Sequence, residues 1–588
     1  MCRMCDEGKP QDHTSLSSDA PRGSRRDFLK LSTATAVAAG GINWLTAPHA
    51  AAQGNSQGNS QGNSQGNSQG NSQGNDAPTD TGKPGRRYII RGGAVMSMDP
   101  SVGDFPQADV LIEGKKIVAI GPNLPQAGGA TQIDARGRIV MPGFIDTHHH
   151  QFETVLRSFL ADGVLIKDNS GSASGNTTYF EYILLTFAPV FRPQDVYINE
   201  VFAGLSQLDD GVTTVHDVSQ IHHSPEHSDA AIQALFDTGR RAAFGYFESA
   251  GNAVIGTNPG NKYPQDAVRI NQQWFSSTDQ LVTMIMGGEV YLGDATTEQS
   301  WKIGRQLGLQ IAAHILSPFG IRPAMDALAA GTGGSNHDIG IGADNLFIHM
   351  TGMSDFAWQK VRDVGAQVSI AFPIEMNMRH GTPPILRMQS LSTPQHPFEP
   401  SLSVDVECTL TADFFTQMRS CMNLQRMIVN GMILDSPNGN QNLPNPLDWG
   451  LPQSAVTVPG AFPYWPTPPA NIPAPLTTRD VLRYATMNGA KALRLDGKVG
   501  SLTPGKEADI IILDATAINV APLNQVPGAV VSLMDRTNVE TVIVAGKIRK
   551  WKGRLLDFNI DKLRNDLENS RDYVFQAAGV PQNLFSSQ

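Results

Sequence analysis

From Phe144 to about Asp405, short apolar runs alternate with longer stretches of helical pattern. Eight runs read as strands: FIDTHHH, GVTTVHDVS, RAAFGYFES, LVTMIMGG, LQIAAHI, NLFIHM, AQVSIAF and SLSVDVE. The stretches between them carry helix signals, for example 297–307 and 354–364, the second with Ser354 as N-cap and Gly365 as stop. Such alternation predicts a parallel sheet with helical crossovers. Eight repeats predict a (β/α)8 TIM barrel, whose functional groups sit at the C-terminal ends of its strands.

The flanks read differently. RRYIIRGG and DVLIEGKKIVAIG, the latter turning at Glu113-Gly114-Lys115, and ARGRIVMPG are β-patterned. VGSLTPGKEADIIILD and VETVIVAGKIRKWKGRL return to that pattern after the barrel and can complete the small sheet begun at Arg87. The reading divides the chain into residues 1–52 (export signal), 53–86 (linker), 87–141 and 498–555 (two parts of a small β-domain), 142–497 (barrel) and 556–588 (terminal helix and tail). Residues 53–75 repeat Gln-Gly-Asn-Ser, bury nothing and are expected to be a disordered tether spanning roughly 25 Å. The Pro-, Asn- and Gly-rich stretch 437–475 is too long for a plain connection, and covering the pocket or wrapping the surface both fit it.

The strand ends carry the chemistry. MPGFIDTHHH ends in three histidines. Alternation along a strand sends His148 and His150 to one face and His149 to the other, with the like-facing pair about 7 Å apart along the strand. Strand two ends in His216 and Asp217, strand five in His314 and strand six in His349, and strand eight carries Asp405. Alone, any of these histidines would be read as a packed, hydrogen-bonded core residue; His148, His150, His314, His349 and Asp405 together on one rim read as a metal site, while pocket lining and strand-end packing both fit His216 and Asp217. Rim loops add substrate-lining candidates: His222 and His223 after strand two, and Glu375, Met376, Met378, Arg379 and His380 after strand seven.

Composition narrows the partners. The net charge is −10 over 588 residues, which argues against nucleic acid or an anionic membrane as partner. Of four cysteines, Cys2 and Cys5 precede the export signal, and Cys408 and Cys421 are too few for a disulfide framework. Ser24-Arg25-Arg26-Asp27-Phe28-Leu29-Lys30, an apolar run over 31–45 and Ala50-Ala51-Ala52 resemble a twin-arginine signal with its cleavage site. That resemblance implies a bacterial protein handled by the twin-arginine machinery, folded and able to load metal before export, periplasmic or extracellular, with no integral span after processing.

MPGFIDTHHH, ATMNGAKAL and GSLTPGKEADIIILD together resemble the amidohydrolase superfamily, in the branch of cytosine deaminase and the triazine hydrolases. The resemblance covers roughly 87–555 and implies a metal-bearing barrel beside a β-sandwich built from both chain ends. It implies His148, His150, His314 and Asp405 as ligands of one divalent metal, zinc or, next, iron. It places His349 against the substrate or a second metal; LVTMIMGG offers no lysine to bridge two ions, so one ion is expected. It makes Asp405 the proton carrier and His349 the stabiliser of charge on the attacked group. Deaminase-like members place a glutamate three residues after the strand-five histidine, where this chain has Ser317; Glu248, Glu375 and Glu407 are candidate substitutes, Glu407 by alternation on the face of Asp405. The expected activity is hydrolysis of a non-peptide carbon–nitrogen bond in an amide, amidine or nitrogen heterocycle. Hydrolytic deamination of a heterocycle with release of ammonia is the alternative, and a catalytically inactive small-molecule binder is the alternative of another class. Relatives often form dimers or larger assemblies, and a homo-oligomer fits the resemblance.

Overall fold

The alternating runs close on themselves. The computed structural model describes residues 76–125, 128–167, 178–250, 260–277, 279–434 and 472–585. The expected export signal, the Gln-Gly-Asn-Ser repeat and residues 437–471 of the Pro-rich stretch lie outside the described residues. Five strands open the fold: β1 (Arg87–Met96), β2 (Asp104–Glu113), β3 (Lys116–Gly121), β4 (Thr131–Asp134) and β5 (Arg138–Pro142). Eight follow: β6 (Phe144–His149), β7 (Val212–Ser219), β8 (Arg241–Tyr246), β9 (Val282–Gly287), β10 (Gln310–Ile315), β11 (Asn345–His349), β12 (Gln367–Ile370) and β13 (Ser401–Leu402). β14 (Ile510–Asp514), β15 (Val539–Val544), β16 (Lys547–Trp551) and β17 (Arg554–Leu555) complete the strands among the described residues.

β6 to β13 pair in sequence order, parallel throughout, as one eight-stranded sheet. A bridge between His149 and Asp405 brings the last strand back to the first. The period of two sorts the side chains. In β8, Ala242, Phe244 and Tyr246 join the outer core under the helices, while Ala243 joins Ile145, Ile285, Ala312 and Ile348 in a separate inner cluster. His314 is in phase with Ala312, which turns it inward. The helices obey their local signals: Asp355–Val364 starts where the Ser354 hydroxyl accepts the Ala357 N–H and stops at Gly365, whose φ of 76° is left-handed.

Two glycines of the motifs are required by close approach. A Cβ on Gly143, ahead of β6, would lie 2.2 Å from Thr213, and one on Gly489 would lie 2.8 Å from the Cβ of Ile145. Gly489 thereby lets the ATMNGAKAL segment press against the histidine-bearing strand.

The remaining strands form a nine-stranded sheet from both chain ends, in the order β17-β16-β15-β14-β5-β1-β2-β3 with β4 added on β1. The ends meet where β14 runs antiparallel to β5, Ile510 opposite Pro142. Tyr88, Ile90, Val110, Ile510, Ile512 and Ile543 share its apolar core. Barrel and sheet are joined by buried charge. Arg241, at the start of β8, donates from Nε to Asp509 Oδ2 at 3.0 Å and from Nη2 to Glu507 Oε2 at 2.7 Å. Among the described residues no helix is long and apolar enough to cross a membrane.

Candidate metal centre

The residues that close the barrel are the ones that carry the chemistry. The Asp405 N–H donates to the His148 carbonyl at 2.9 Å, and the His150 N–H donates to the Asp405 carbonyl at 2.8 Å. β13 is only two residues long, so these bonds take the place of a longer ladder and fix Asp405 beside the histidines. Asp405 has φ +70° and His349 φ +68°, left-handed conformations that cost a non-glycine residue roughly 1–3 kcal/mol each and collect at functional sites.

His148, His150, His314, His349 and Asp405 are all buried. His148 Nε2 lies 3.0 Å from Asp405 Oδ1, and His150 Nε2 lies 3.6 Å from the same oxygen. His314 Nε2 faces His150 Nε2 at 3.3 Å, and His349 Nε2 lies 3.6 Å from Asp405 Oδ2. Ligand atoms of His148, His150 and His314 fall within 4.8 Å of one another, as do those of His148, His349 and Asp405.

This donor set fits a metal ion. Two imidazole Nε2 atoms at 3.3 Å either share a proton or point their lone pairs at a cation between them. His314 is fixed for the second case: Glu289 Oε1 accepts from its Nδ1 at 2.5 Å, which leaves Nε2 unprotonated in the neutral ring. Burial, and then neighbouring rings, hold His148 and His150 well below the usual imidazole range and favour the neutral form, the one that can bind a metal. Asp405 Oδ2 has no hydrogen-bond partner. Three nitrogens and a carboxylate suit zinc or iron.

Two glutamates hold the rings. Besides the ring contact, Glu289 Oε2 accepts the backbone N–H of His314 at 2.9 Å. Burial works against a charged His314 ring, and the Glu289 carboxylate outweighs it and keeps the ring basic. Glu375 Oε1 accepts from His349 Nδ1 at 2.9 Å and from the Ala371 N–H at 3.2 Å. Outer partners of this kind set ligand orientation and basicity. Replacing Glu289 by Gln is expected to weaken metal binding about 10- to 100-fold, read by competition with a chromophoric chelator.

The other rim candidates separate into groups. His380 reaches the centre, its Nε2 3.8 Å from Asp405 Oδ2 and its ring 4.9 Å from that of His349. Burial first, then His349, pushes His380 down to about 3. His216 gives Nδ1 to the Thr147 carbonyl at 2.9 Å and leaves Nε2 unpartnered near Phe247, while Asp217 turns toward Gln151, Glu200 and Arg240. His222 bonds Ser228 Oγ at 2.9 Å and the Ser219 carbonyl at 2.8 Å, and His223 bonds the Ala188 carbonyl at 2.8 Å and Ser249 Oγ at 2.5 Å. Both ring nitrogens of each are therefore engaged in holding the loop. Met376 is exposed and Met378 is packed in the core.

Glu407 departs from the expected face. The left-handed turn at Asp405 breaks the alternation, and Glu407 instead pairs with Arg157 Nη2 at 2.6 Å and accepts the Thr154 hydroxyl at 2.9 Å. Glu248 accepts from Gln220 at 3.0 Å and from the Tyr291 hydroxyl, and Glu375 is committed to His349. Ser317 is exposed on the rim, its N–H bonded to Thr351 Oγ1 at 3.0 Å. Glu289 is absent from the sequence reading; its position two residues past β9 on the active rim is the signal that marks it.

Known proteins share this architecture. The profile of the Amidohydrolase family matches residues 472–549. The chain is 25% identical over 493 residues to a 5'-deoxyadenosine deaminase of Methanosarcina mazei, covering 82% of this chain and 97% of the relative. A 5-methylthioadenosine/S-adenosylhomocysteine deaminase of Symbiobacterium thermophilum is 23% identical over 482 residues, covering 79% and 93%. Among solved structures, an adenosine deaminase from Xanthomonas campestris with bound zinc superposes with a TM-score of 0.61 at 18% identity, covering 83% of this chain and 98% of that one. The zinc complex of an atrazine chlorohydrolase from Arthrobacter aurescens gives 0.62 at 18% identity, covering 82% and 100%.

Proposed function

We propose, from the chain's similarity to amidohydrolases, that it is a one-metal hydrolase that deaminates a nitrogen heterocycle of the adenosine type. The observation that carries this is the convergence of His148, His150, His314 and Asp405, with one Asp405 oxygen left unpartnered at the centre. Hydrolysis of a non-peptide carbon–nitrogen bond is common ground; the deaminase relatives favour release of ammonia.

These four residues would hold one divalent ion, zinc in our reading, which would lower the pKa of a bound water to about 7. The chain's own groups do the rest. Asp405 Oδ2 takes the proton of the attacking water and returns it to the substrate. His349 is held at Nδ1 by Glu375, so its Nε2 faces the centre, 3.6 Å from Asp405 Oδ2. There it meets the charge that grows on the substituent of the attacked carbon. His380, beside it, lines the same wall. Burial of the whole cluster keeps bulk water out and strengthens each of these interactions.

The test is ammonia release from 5'-deoxyadenosine, adenosine, 5'-methylthioadenosine, cytosine and an amino-triazine by the zinc-loaded protein. Ammonia from any of them supports deamination. Release of another leaving group from a triazine, without ammonia, favours the second reading, which the triazine-hydrolase neighbours suggest.

A further inference from the structure

Glu153 lies three residues past His150, in the short helical turn Gln151–Leu156, and is fully buried. Neither of its carboxyl oxygens has a partner of hydrogen-bonding geometry. The Tyr179 hydroxyl and the Cys408 thiol lie against it. The Asp405 charge bears on Glu153, Tyr179 and Cys408 alike, and the Tyr179 ring stands 6.3 Å from that of His150. The trio therefore forms a wall beside the metal centre, contributed by the segments after β6 and β13.

An ionised carboxylate without partners in such a place would cost several kcal/mol. Burial, the largest influence, pushes Glu153 well above the usual carboxyl range and favours the neutral acid, with an O–H to give. The site needs one. Ser317 leaves the strand-five position without a carboxyl, Glu407 is engaged elsewhere, and Glu248 and Glu375 each hold one oxygen in a hydrogen bond, whereas both oxygens of Glu153 are without one. Two carboxyls kept in opposite protonation states are the arrangement that acid–base chemistry at neutral pH requires.

We propose that Glu153 is a further catalytic residue, the acid that protonates the departing nitrogen, with Tyr179 orienting its carboxyl. The inference rests on the deaminase reading above. As the carbon–nitrogen bond breaks, its electron pair goes to the amino nitrogen, which takes the Glu153 proton and leaves as ammonia. Of the two protons of the consumed water, one passes through Asp405 to the ring nitrogen. The other restores Glu153. The balance is amine plus water giving carbonyl product plus ammonia.

The experiment compares leaving groups. Glu153→Gln keeps shape and loses the transferable proton. With unchanged metal content and melting temperature, it is expected to lose about a hundredfold or more in kcat on 5'-deoxyadenosine. On the 6-chloro analogue, whose chloride departs without a proton, the expected loss is under about threefold. Equal losses on both, or no loss on either, would overturn the proposal. An infrared difference spectrum of the metal-loaded protein at neutral pH should show a protonated-carboxyl band that Glu153→Gln removes; absence of that band overturns the proposal independently of turnover. Wild-type protein that holds metal and turns over no probe defeats the hydrolase reading, and Glu153's catalytic role with it, while the band still reports its proton. If Glu153→Gln does not fold, Tyr179→Phe carries the same comparison, with a smaller loss still confined to the amine substrate.

Discussion

Asparagine at position 405 is expected to leave a folded protein whose kcat has fallen about a thousandfold, within the 10²–10⁴ range of a lost acid–base group. The substitution keeps the volume and the backbone bonds to His148 and His150 that close the barrel. It removes the negative oxygen 3.0 Å from His148 Nε2 and the unpartnered oxygen that receives the water's proton. Steady-state kinetics on whichever probe releases ammonia measure it. His222→Gln is the matched control: both ring nitrogens of His222 serve the loop, so kcat should stay near the wild-type value while stability falls. Activity close to wild type in Asp405→Asn would remove Asp405 from the mechanism.

Arg241→Met is expected to cost about 3–5 kcal/mol of stability without touching the metal centre, because it leaves Asp509 buried without its guanidinium partner and Glu507 with only the longer contacts to Lys115 and Lys116, at 3.5 and 3.7 Å. The three charges sit where β8 meets the approach to β14, at the junction of barrel and outer sheet. Asp509 also accepts the Ala545 N–H at 2.7 Å, so its loss of a partner is felt inside the sheet. Neutralising all three, with Arg241→Met, Glu507→Gln and Asp509→Asn, should recover part of the loss, since removing the two carboxylates together with the guanidinium is cheaper than stranding them; Lys115 keeps Asp279 as a partner. Urea denaturation of the single and triple variants makes the comparison. A single variant as stable as wild type would show that the junction does not depend on these charges.

The barrel was legible because a period of two is forced on any strand buried between helices and an inner core. Ala243 against Phe244, or Ala312 against Ile311, shows it residue by residue. His314 was legible for the same reason. His149 was legible as the outward member of its triplet, and it lies 3.5 Å from Asp146 and 3.8 Å from Glu407. What escaped was whatever depended on a break in the period. Asp405 sits beyond a two-residue strand in a left-handed conformation, so the side chain after next does not repeat its direction, and Glu407 went to Arg157. Glu289 and Glu153 escaped because they act through tertiary contacts that no spacing encodes: one grips a histidine at the end of the neighbouring strand, and the other has neither carboxyl oxygen in a hydrogen bond. His222 and His223 drew notice by residue type, yet local serines and carbonyls satisfy them, as a loop histidine is commonly satisfied.

The most direct measurement is metal content by mass spectrometry on the purified chain beside a His148→Ala/His150→Ala variant. One divalent ion per wild-type chain and none in the folded variant is the predicted result. An active wild-type chain free of metal, or a variant that retains the ion in full, would contradict the account.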